Sequence, residues 1–323
     1  MMEIDGSHGE GGGQVLRTAV SLSAVLREPV RVTRIREGRP NPGLAAQHMA
    51  GIGAVAELCD AEVDGLAVGS KEVVFRPGVL VGGDFEFDIG TAGSTSLVLQ
   101  ACIIPAAMSK APVGLTIKGG TDTKWSPPMD FMRLVHLPLV QRMGVSCEVE
   151  VVRRGFYPEG GGEVEAYIDP CPSVKGVDIL EKGGFSGIVG VAYAQNLPDH
   201  VISRMRHAAM KGLVDHPGVK VESDLRSGAS TGAGIVLAAR YGNTVLGQSA
   251  LGERGVRAET LGEVCAADLA ETMRSGATLD EHMLDQLVPY MALASGGSAV
   301  VAGEMTGHAE TNIWVVERFL GDK

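Results

Sequence analysis

Apolar positions along the chain alternate between two periods, and the alternation itself repeats. A period of two marks a strand and a period near 3.6 marks a helix. From Ile4 to Pro77 the order is strand, glycine-rich loop, helix, strand, proline-containing loop, helix, strand, strand. The segments are EIDGSHGEGGG, QVLRTAVSLSAVLRE, PVRVTRIR, EGRPNPGL, AAQHMAGIGAVAELC, AEVDGL and KEVVFRP. From Phe85 to Ile168 the same order returns, with DIGTAGS as the loop, TSLVLQACIIPAAMSK as the first helix, PVGLTIKG as the strand and GTDTKWSPP as the second loop. MDFMRLVHLPLVQRMG, VSCEVEVVRRG and GGEVEAYID complete this copy. Pro29-Val30 and Pro112-Val113 sit at matching places after the two first helices.

A third, shortened copy closes the chain. It has a helix over 279–297, a strand SAVVAGE, a loop MTGHAET and a helix NIWVVERFL, and its opening strand is expected at Val177–Leu180. Between them, from about Gly184 to Gly276, lies a segment with its own strand and helix pattern. The expected organisation is therefore α/β (α+β), with three βαβαββ-like repeats over 1–183 and 277–323 and a small inserted α/β domain over 184–276. Chance alternation competes with this reading, since alternating strands and helices are common.

Composition narrows the function. The chain has 323 residues, 45% hydrophobic and 21% charged, which is globular rather than disordered. Aromatics are only 4%, against an extended stacking surface for single-stranded nucleic acid. The net charge of −11 excludes a non-specific coat for nucleic acid, so any phosphate or RNA site must be local and built from arginines. Five scattered cysteines without a CxxC pair suit reduced thiols in a cytoplasmic protein. The polar, acidic start is no signal peptide. The longest apolar run, Leu97 to Met108, is interrupted by Gln100 and Pro105 and falls short of a membrane span.

Superposing the repeats predicts that the loops before each second helix share one face. They carry Arg36 and Arg39, then Lys124, then His308. Helix N-termini attract anions through free N–H groups and the dipole, so these loops would make a phosphate site. Three unrelated surface loops is the competing reading. The loop Gly9 to Arg17 places four glycines before a helix, allowing close approach of backbone to a ligand. Glu10 there can hold Mg²⁺ and Arg17 can face phosphate; a plain tight turn is the alternative. His282, Asp285 and Gln286 fall on one face of an otherwise apolar helix, and Gln100 takes a comparable place in the second repeat. A nucleotide base or ribose would satisfy them, as would buried backbone. A neutral imidazole at a helix start, as at His308, is a competent phosphorus nucleophile; a surface cap is the ordinary alternative.

Together these segments resemble the RNA 3′-terminal phosphate cyclase family. The RxGRxxPGLxxQH block appears as Arg36, Gly38, Arg39, Pro42, Gly43, Leu44, Gln47 and His48. EGGGQVLR, GTAGSTSLVLQ, GGTD…PP, RGFYPEGGGEV, HMLDQLVPYMALA and HAETNIWVVERFL follow in the family's order and spacing. The resemblance covers essentially the whole chain. It implies repeats similar to those of enolpyruvyl transferases. It also implies a reaction in which ATP adenylates a histidine, AMP passes to an RNA 3′-phosphate, and the vicinal 2′-OH closes a 2′,3′-cyclic phosphodiester.

His308 matches the adenylated histidine and Glu10 the acid that contacts Mg²⁺ or Mn²⁺. Gln100 and the segment His282, Met283, Leu284, Asp285, Gln286 match nucleotide-binding positions. Arg17, Arg39 and Gln47 match phosphate- and nucleotide-side residues; Pro127, Pro128 and Phe131 match the adenine-side wall. His282 stands where some relatives have tyrosine. The implied partners are ATP and an RNA with a 3′-phosphate end, with no membrane; a homodimer is compatible with the reading. A non-catalytic ribosome-assembly relative of the same fold is the rival, disfavoured by the presence of His308, Glu10 and Arg17. An enolpyruvyl transferase would need two complete three-repeat lobes, well over this length.

Overall fold

Alternation of buried and half-buried positions builds the first sheet. β1 (Met2–Asp5) and β2 (Val30–Thr33) run parallel, because α1 (Gly13–Leu26) carries the chain back between them. After α2 (Ala46–Cys59), β3 (Glu62–Asp64) and β4 (Val73–Arg76) add antiparallel, giving the order β1-β2-β4-β3. The second sheet is built from β5 (Gly83–Asp88), β6 (Val113–Gly119), β7 (Cys147–Arg153) and β8 (Gly162–Ile168) in the order β5-β6-β8-β7. It too holds one parallel pair followed by two antiparallel ones. This computed structural model describes residues 1–321; Asp322 and Lys323, the end of the expected 277–323 segment, lie outside the described residues.

Helix α3 (Thr95–Ala107) crosses between β5 and β6. Its apolar residues surround it, so it is buried on all sides. Ser94 starts it by accepting the N–H of Leu97. The next helical stretch is α4 (Met129–Phe131) and α5 (Leu137–Arg142), joined by a π-helical turn over Met132–His136. Such turns displace one residue from the regular stripe, here His136.

The segment expected as an insert forms β10 (Phe185–Gln195), α6 (Asp199–Gly212), β11 (Val219–Arg226), β12 (Gly232–Tyr241), β13 (Val245–Leu251) and α7 (Ala258–Arg274). Its sheet order is β11-β10-β12-β13. One apolar cluster, including Ile188, Met205, Ile235, Leu237 and Leu269, lies wholly within it. Tyr193, Val236, Ala238 and Val245 instead join the core of the remaining chain. The seam is also ionic: Arg154, 1% exposed, pairs with Asp122, Asp130 and Asp224 and lies 3.9 Å from the Tyr193 ring centre.

The closing segment gives β9 (Asp178–Ile179) parallel to β14 (Ala299–Val300), with α8 (Met283–Leu293) and α9 (Gly307–Leu320). The helix expected over 279–297 is shorter at both ends. Asp280 Oδ1 accepts the backbone N–H groups of His282 and Met283, which starts the helix after His282. Extended backbone at Ala294 ends it. Among the described residues no helix is long and apolar enough to cross a membrane. Helices α1, α3, α8 and α9 pack together, and their polar stripes meet.

Candidate active site

The stripe on α1 is Gln14, Arg17, Thr18 and Ser21, a spacing of three, four and seven that puts all four on one face. They line a cleft with Gln100 and Ile104 of α3, Asp285, Gln286, Pro289 and Tyr290 of α8, Asn312 of α9, and His136 of the π turn. The rest of these helices is apolar, so each polar group must find a partner within the cleft. Gln100 Nε2 donates to Gln286 Oε1 at 2.8 Å, and His136 Nδ1 lies 2.8 Å from the same oxygen. Gln286 Nε2 donates to the His282 carbonyl at 2.9 Å. Thr18 Oγ1 donates to Asn312 Oδ1, and Asn312 Nδ2 donates to the Asp285 carbonyl. His136 Nε2 and Tyr290 Oη are buried without a partner among the described residues.

Among the described residues Arg17 is the one cation of this lining. Burial lowers its pKa to about 10, with Asp285 opposing the shift, and no hydrogen bond contributes. Burial likewise raises the pKa of Asp285, against the pull of His308 and Arg17, and lowers that of His136 to about 4.

His308 opens α9 at the edge of this cleft. Thr306 starts the helix by accepting the N–H of Ala309 at 3.1 Å. The imidazole is solvent-exposed, and its Nδ1 lies 3.0 Å from Gln14 Oε1. Gln14 Nε2 in turn donates to Asp285 Oδ2 at 2.5 Å. The glycine-rich loop packs on the same helix end. The Glu10 N–H donates to Thr311 Oγ1 at 3.1 Å, and a Cβ on Gly307 would stand 2.7 Å from Glu10 Oε1. Arg39 Nη2 donates to the Glu10 carbonyl at 2.7 Å and lies 3.3 Å from Oε2. His48 props this loop from below: a Cβ on Gly13 would stand 2.3 Å from His48 Nε2. Among the described residues no three His, Cys, Asp or Glu side chains converge as a metal nest, so Glu10 stands as a single carboxylate.

Of the residues singled out in the sequence, Arg17, Gln100, Asp285 and Gln286 line the cleft, and His308, Glu10 and Arg39 gather at its α9 end. Gln47 and Pro127 lie at the start of α3: Gln47 Oε1 accepts the Ser94 N–H at 3.4 Å, and the Pro127 carbonyl accepts from Ser96, one turn from Gln100. Pro128 precedes α4. Met283, Leu284 and Phe131 are in the hydrophobic core. His282 stands outside α8, exposed and 3.5 Å from Glu281, rather than on a shared helix face with Asp285. The expected convergence of loop cations is incomplete. Arg36 donates to the Gly43 carbonyl, and Lys124 pairs with Glu253 at 2.9 Å.

Gln14, Thr18, His136, Tyr290 and Asn312 join the cleft beyond the residues the sequence singles out. The polar stripe in QVLRTAVS and the i, i+4 pair His308 and Asn312 carried the signal for three of them.

The profile of the RNA 3′-terminal phosphate cyclase family matches residues 8–323. The chain belongs to that family. As a family member it is a ligase-type enzyme. It is 44% identical to the RNA 3′-terminal phosphate cyclase of Methanopyrus kandleri over 329 residues, covering 99% of this chain and 93% of the relative. The cyclase of Archaeoglobus fulgidus is 45% identical over 324 residues, covering 99% and 96%. That of Nitrosospira multiformis is 46% identical over 323 residues, covering 99% and 92%. The family match over residues 8–323 includes both the cleft and the glycine-rich loop.

Proposed function

We propose that this enzyme converts an RNA 3′-terminal phosphate to a 2′,3′-cyclic phosphodiester at the expense of ATP, with His308 as the group that carries AMP. The observation that carries the reading is His308 at the start of α9, hydrogen-bonded into a polar cleft whose Arg17 has no ion-pair partner among the described residues. A half-buried guanidinium without an anion suits a phosphate ligand. The helix N-terminus adds free N–H groups for phosphoryl oxygens.

In the first step His308 attacks the α-phosphorus of ATP and pyrophosphate leaves. A 3′-phosphate oxygen of RNA then takes the AMP, giving RNA-(3′)pp(5′)A and freeing the histidine. The vicinal 2′-OH attacks the 3′-phosphorus and AMP departs. This last step is intramolecular, so positioning supplies most of what it needs.

Glu10 fits a divalent cation. Magnesium keeps several waters and binds through one carboxylate plus substrate phosphates, which suits a lone carboxylate at the α9 end. Bound there, Mg²⁺ or Mn²⁺ would neutralise phosphate charge. Arg39 holds Glu10 in place, and the Gln100, Gln286 and His136 network offers polar groups to a nucleoside.

The matching strand order of the β1–β4 and β5–β8 sheets supports reading them as copies of one βαβαββ unit like those of enolpyruvyl transferases, with β9, α8, β14 and α9 as a shortened third. The separate cluster of 184–276 supports an inserted domain. Five free cysteines suit the cytoplasm.

The test is incubation with α-labelled ATP and Mg²⁺. One AMP per chain should map to His308, be acid-labile and alkali-stable, and vanish in His308→Asn. RNA ending in a 2′-deoxy 3′-phosphate should be adenylated and never cyclised. Label on another residue, or a cyclic product from the deoxy end, would refute the mechanism.

A further inference from the structure

Three helices converge on one hydrogen-bonded line: Asp285 of α8, Gln14 of α1 and His308 of α9. Gln14 is 8% exposed and sits between a carboxylate and an imidazole. An ionised carboxylate can only accept, so the Gln14 amide group must turn its NH₂ toward Asp285. That leaves Oε1 facing His308 Nδ1 at 3.0 Å. An amide oxygen also only accepts, so Nδ1 must carry the proton. Which ring nitrogen holds the proton is decided by the partner of the other.

Resting on the nucleotidyl-transfer reading above, we propose that Gln14, oriented by Asp285, is a positioning residue that keeps the His308 proton on Nδ1 and its lone pair on Nε2 for attack on phosphorus. Free neutral imidazole in water prefers the opposite tautomer, so the protein must impose this one. Asp285 is itself held: Asn312 Nδ2 donates to its carbonyl, and Thr18 Oγ1 donates to Asn312. The Asp285 end of the line is therefore tied to α9 through Asn312 and to α1 through Thr18.

The charge arrangement suits the chemistry. As Nε2 forms its bond to the α-phosphorus, the bond from phosphorus to pyrophosphate breaks. The Nδ1 proton stays, and positive charge develops on the ring. The Nδ1–H bond to Gln14 strengthens as that happens, with the Asp285 charge behind the amide. A carboxylate bonded directly to the ring would favour its protonated, non-nucleophilic form. An amide between them fixes the tautomer with less of that cost.

The tautomer can be read without turnover, by ¹⁵N NMR of histidine-labelled, ligand-free protein. The wild-type His308 should show Nδ1–H. In Asp285→Asn the new amide can donate to Gln14 Oε1, which flips Gln14 and offers its NH₂ to Nδ1. His308 should then show Nε2–H, and adenylation should fall roughly 100- to 10,000-fold.

Gln14→Glu combined with Asp285→Asn restores an acceptor toward both neighbours. Assayed at alkaline pH, where the directly bonded carboxylate no longer keeps the ring protonated, it should return the Nδ1–H signal and recover at least ~10-fold of the lost rate. A merely structural role for Gln14 would not produce that rescue. Wild-type Nε2–H, an unchanged tautomer and rate in Asp285→Asn, or a restored tautomer without rate recovery would each overturn the proposal. AMP attached through Nδ1 would overturn it alone. Nδ1–H in a wild-type protein that never takes AMP would instead overturn the nucleotidyl-transfer reading.

Discussion

The carboxylate of Glu10 rests against Gly307, the residue before His308, so closely that a Cβ there would stand 2.7 Å from Oε1. This ties the glycine-rich loop, at one end of the chain, to the helix start at the other.

Two outcomes test that contact. Gly307→Ala must displace the carboxylate and should slow adenylation about 10-fold, since small misplacements near reacting atoms are costly. Glu10→Ala should cost on the order of 100-fold, with partial recovery at higher Mg²⁺ or Mn²⁺. Labelling rates with α-labelled ATP check both. A Glu10→Ala enzyme of wild-type rate at low metal would make Glu10 a turn residue only.

Arg17 offers a test in which activity and stability move oppositely. Its guanidinium is desolvated enough to lower its pKa to about 10, and Asp285 acts on it only through its charge, without a hydrogen bond. An unpaired cation in such a place costs stability in the ligand-free protein. Arg17→Met should therefore unfold at higher urea without ATP, by about 1 to 2 kcal/mol. It should also lose the extra stability that ATP gives the wild type. Destabilisation by a similar amount would mean that Arg17 is held by the fold rather than waiting for an anion.

The sequence exposed periodicity far better than it exposed side-chain convergence. Helix and strand order came from apolar spacing, and the glycine-rich loop marked a close approach. The polar stripe Gln14, Arg17, Thr18, Ser21 is equally visible in the sequence, but only Arg17 carries a charge, and neutral side chains on a helix face do not by themselves distinguish a cleft from a solvated surface. Spacing alone puts His282 on a helix face with Asp285, because nothing in its own residue type says that Asp280 caps the turn after it. His136 joins the cleft through a π turn, which shifts it off the regular stripe, and that shift has no signature in residue spacing. Arg36 and Lys124 found partners from distant segments, at Gly43 and Glu253, that a repeat alignment does not contain.

Arg154 should be among the costliest surface-remote positions. Its guanidinium meets Asp130 at 2.6 Å, Asp224 at 2.8 Å and Asp122 at 3.2 Å across the seam between 184–276 and the rest. Arg154→Met removes the only cation that touches all three among the described residues. Breaking a buried network by deleting one side costs about 3 to 5 kcal/mol, because the carboxylates stay behind. Urea unfolding should show a loss of that size. The triple change to Asn of the three aspartates in the Arg154→Met background should recover part of it. A loss below about 1 kcal/mol would show that the seam is held by its apolar contacts.

His48 makes acid stability a readout of the loop support. Burial, reinforced by Arg36 and Arg17, lowers its pKa from 6.5 to about 4. The folded protein therefore keeps His48 neutral where the unfolded chain is already protonated. Between pH 6.5 and 4 the unfolded state binds one more proton at this site, so stability falls as pH falls, by about 1.4 kcal/mol per unit. Asp280, raised to about 6 by burial, acts with the opposite sign over part of the same range. The wild-type curve alone therefore mixes the two, and the difference between variants separates them.

His48→Gln removes the titration and retains an acceptor. His48 Nδ1 accepts the Ala45 N–H at 3.0 Å, and a glutamine at that helix position can reach back to the same N–H. The difference in unfolding free energy, wild type minus His48→Gln, should decline steadily from pH 6.5 to 4 and flatten outside it. A difference that stays level through this window would show that His48 is protonated in the folded protein, and that Gly13 lies against a cation.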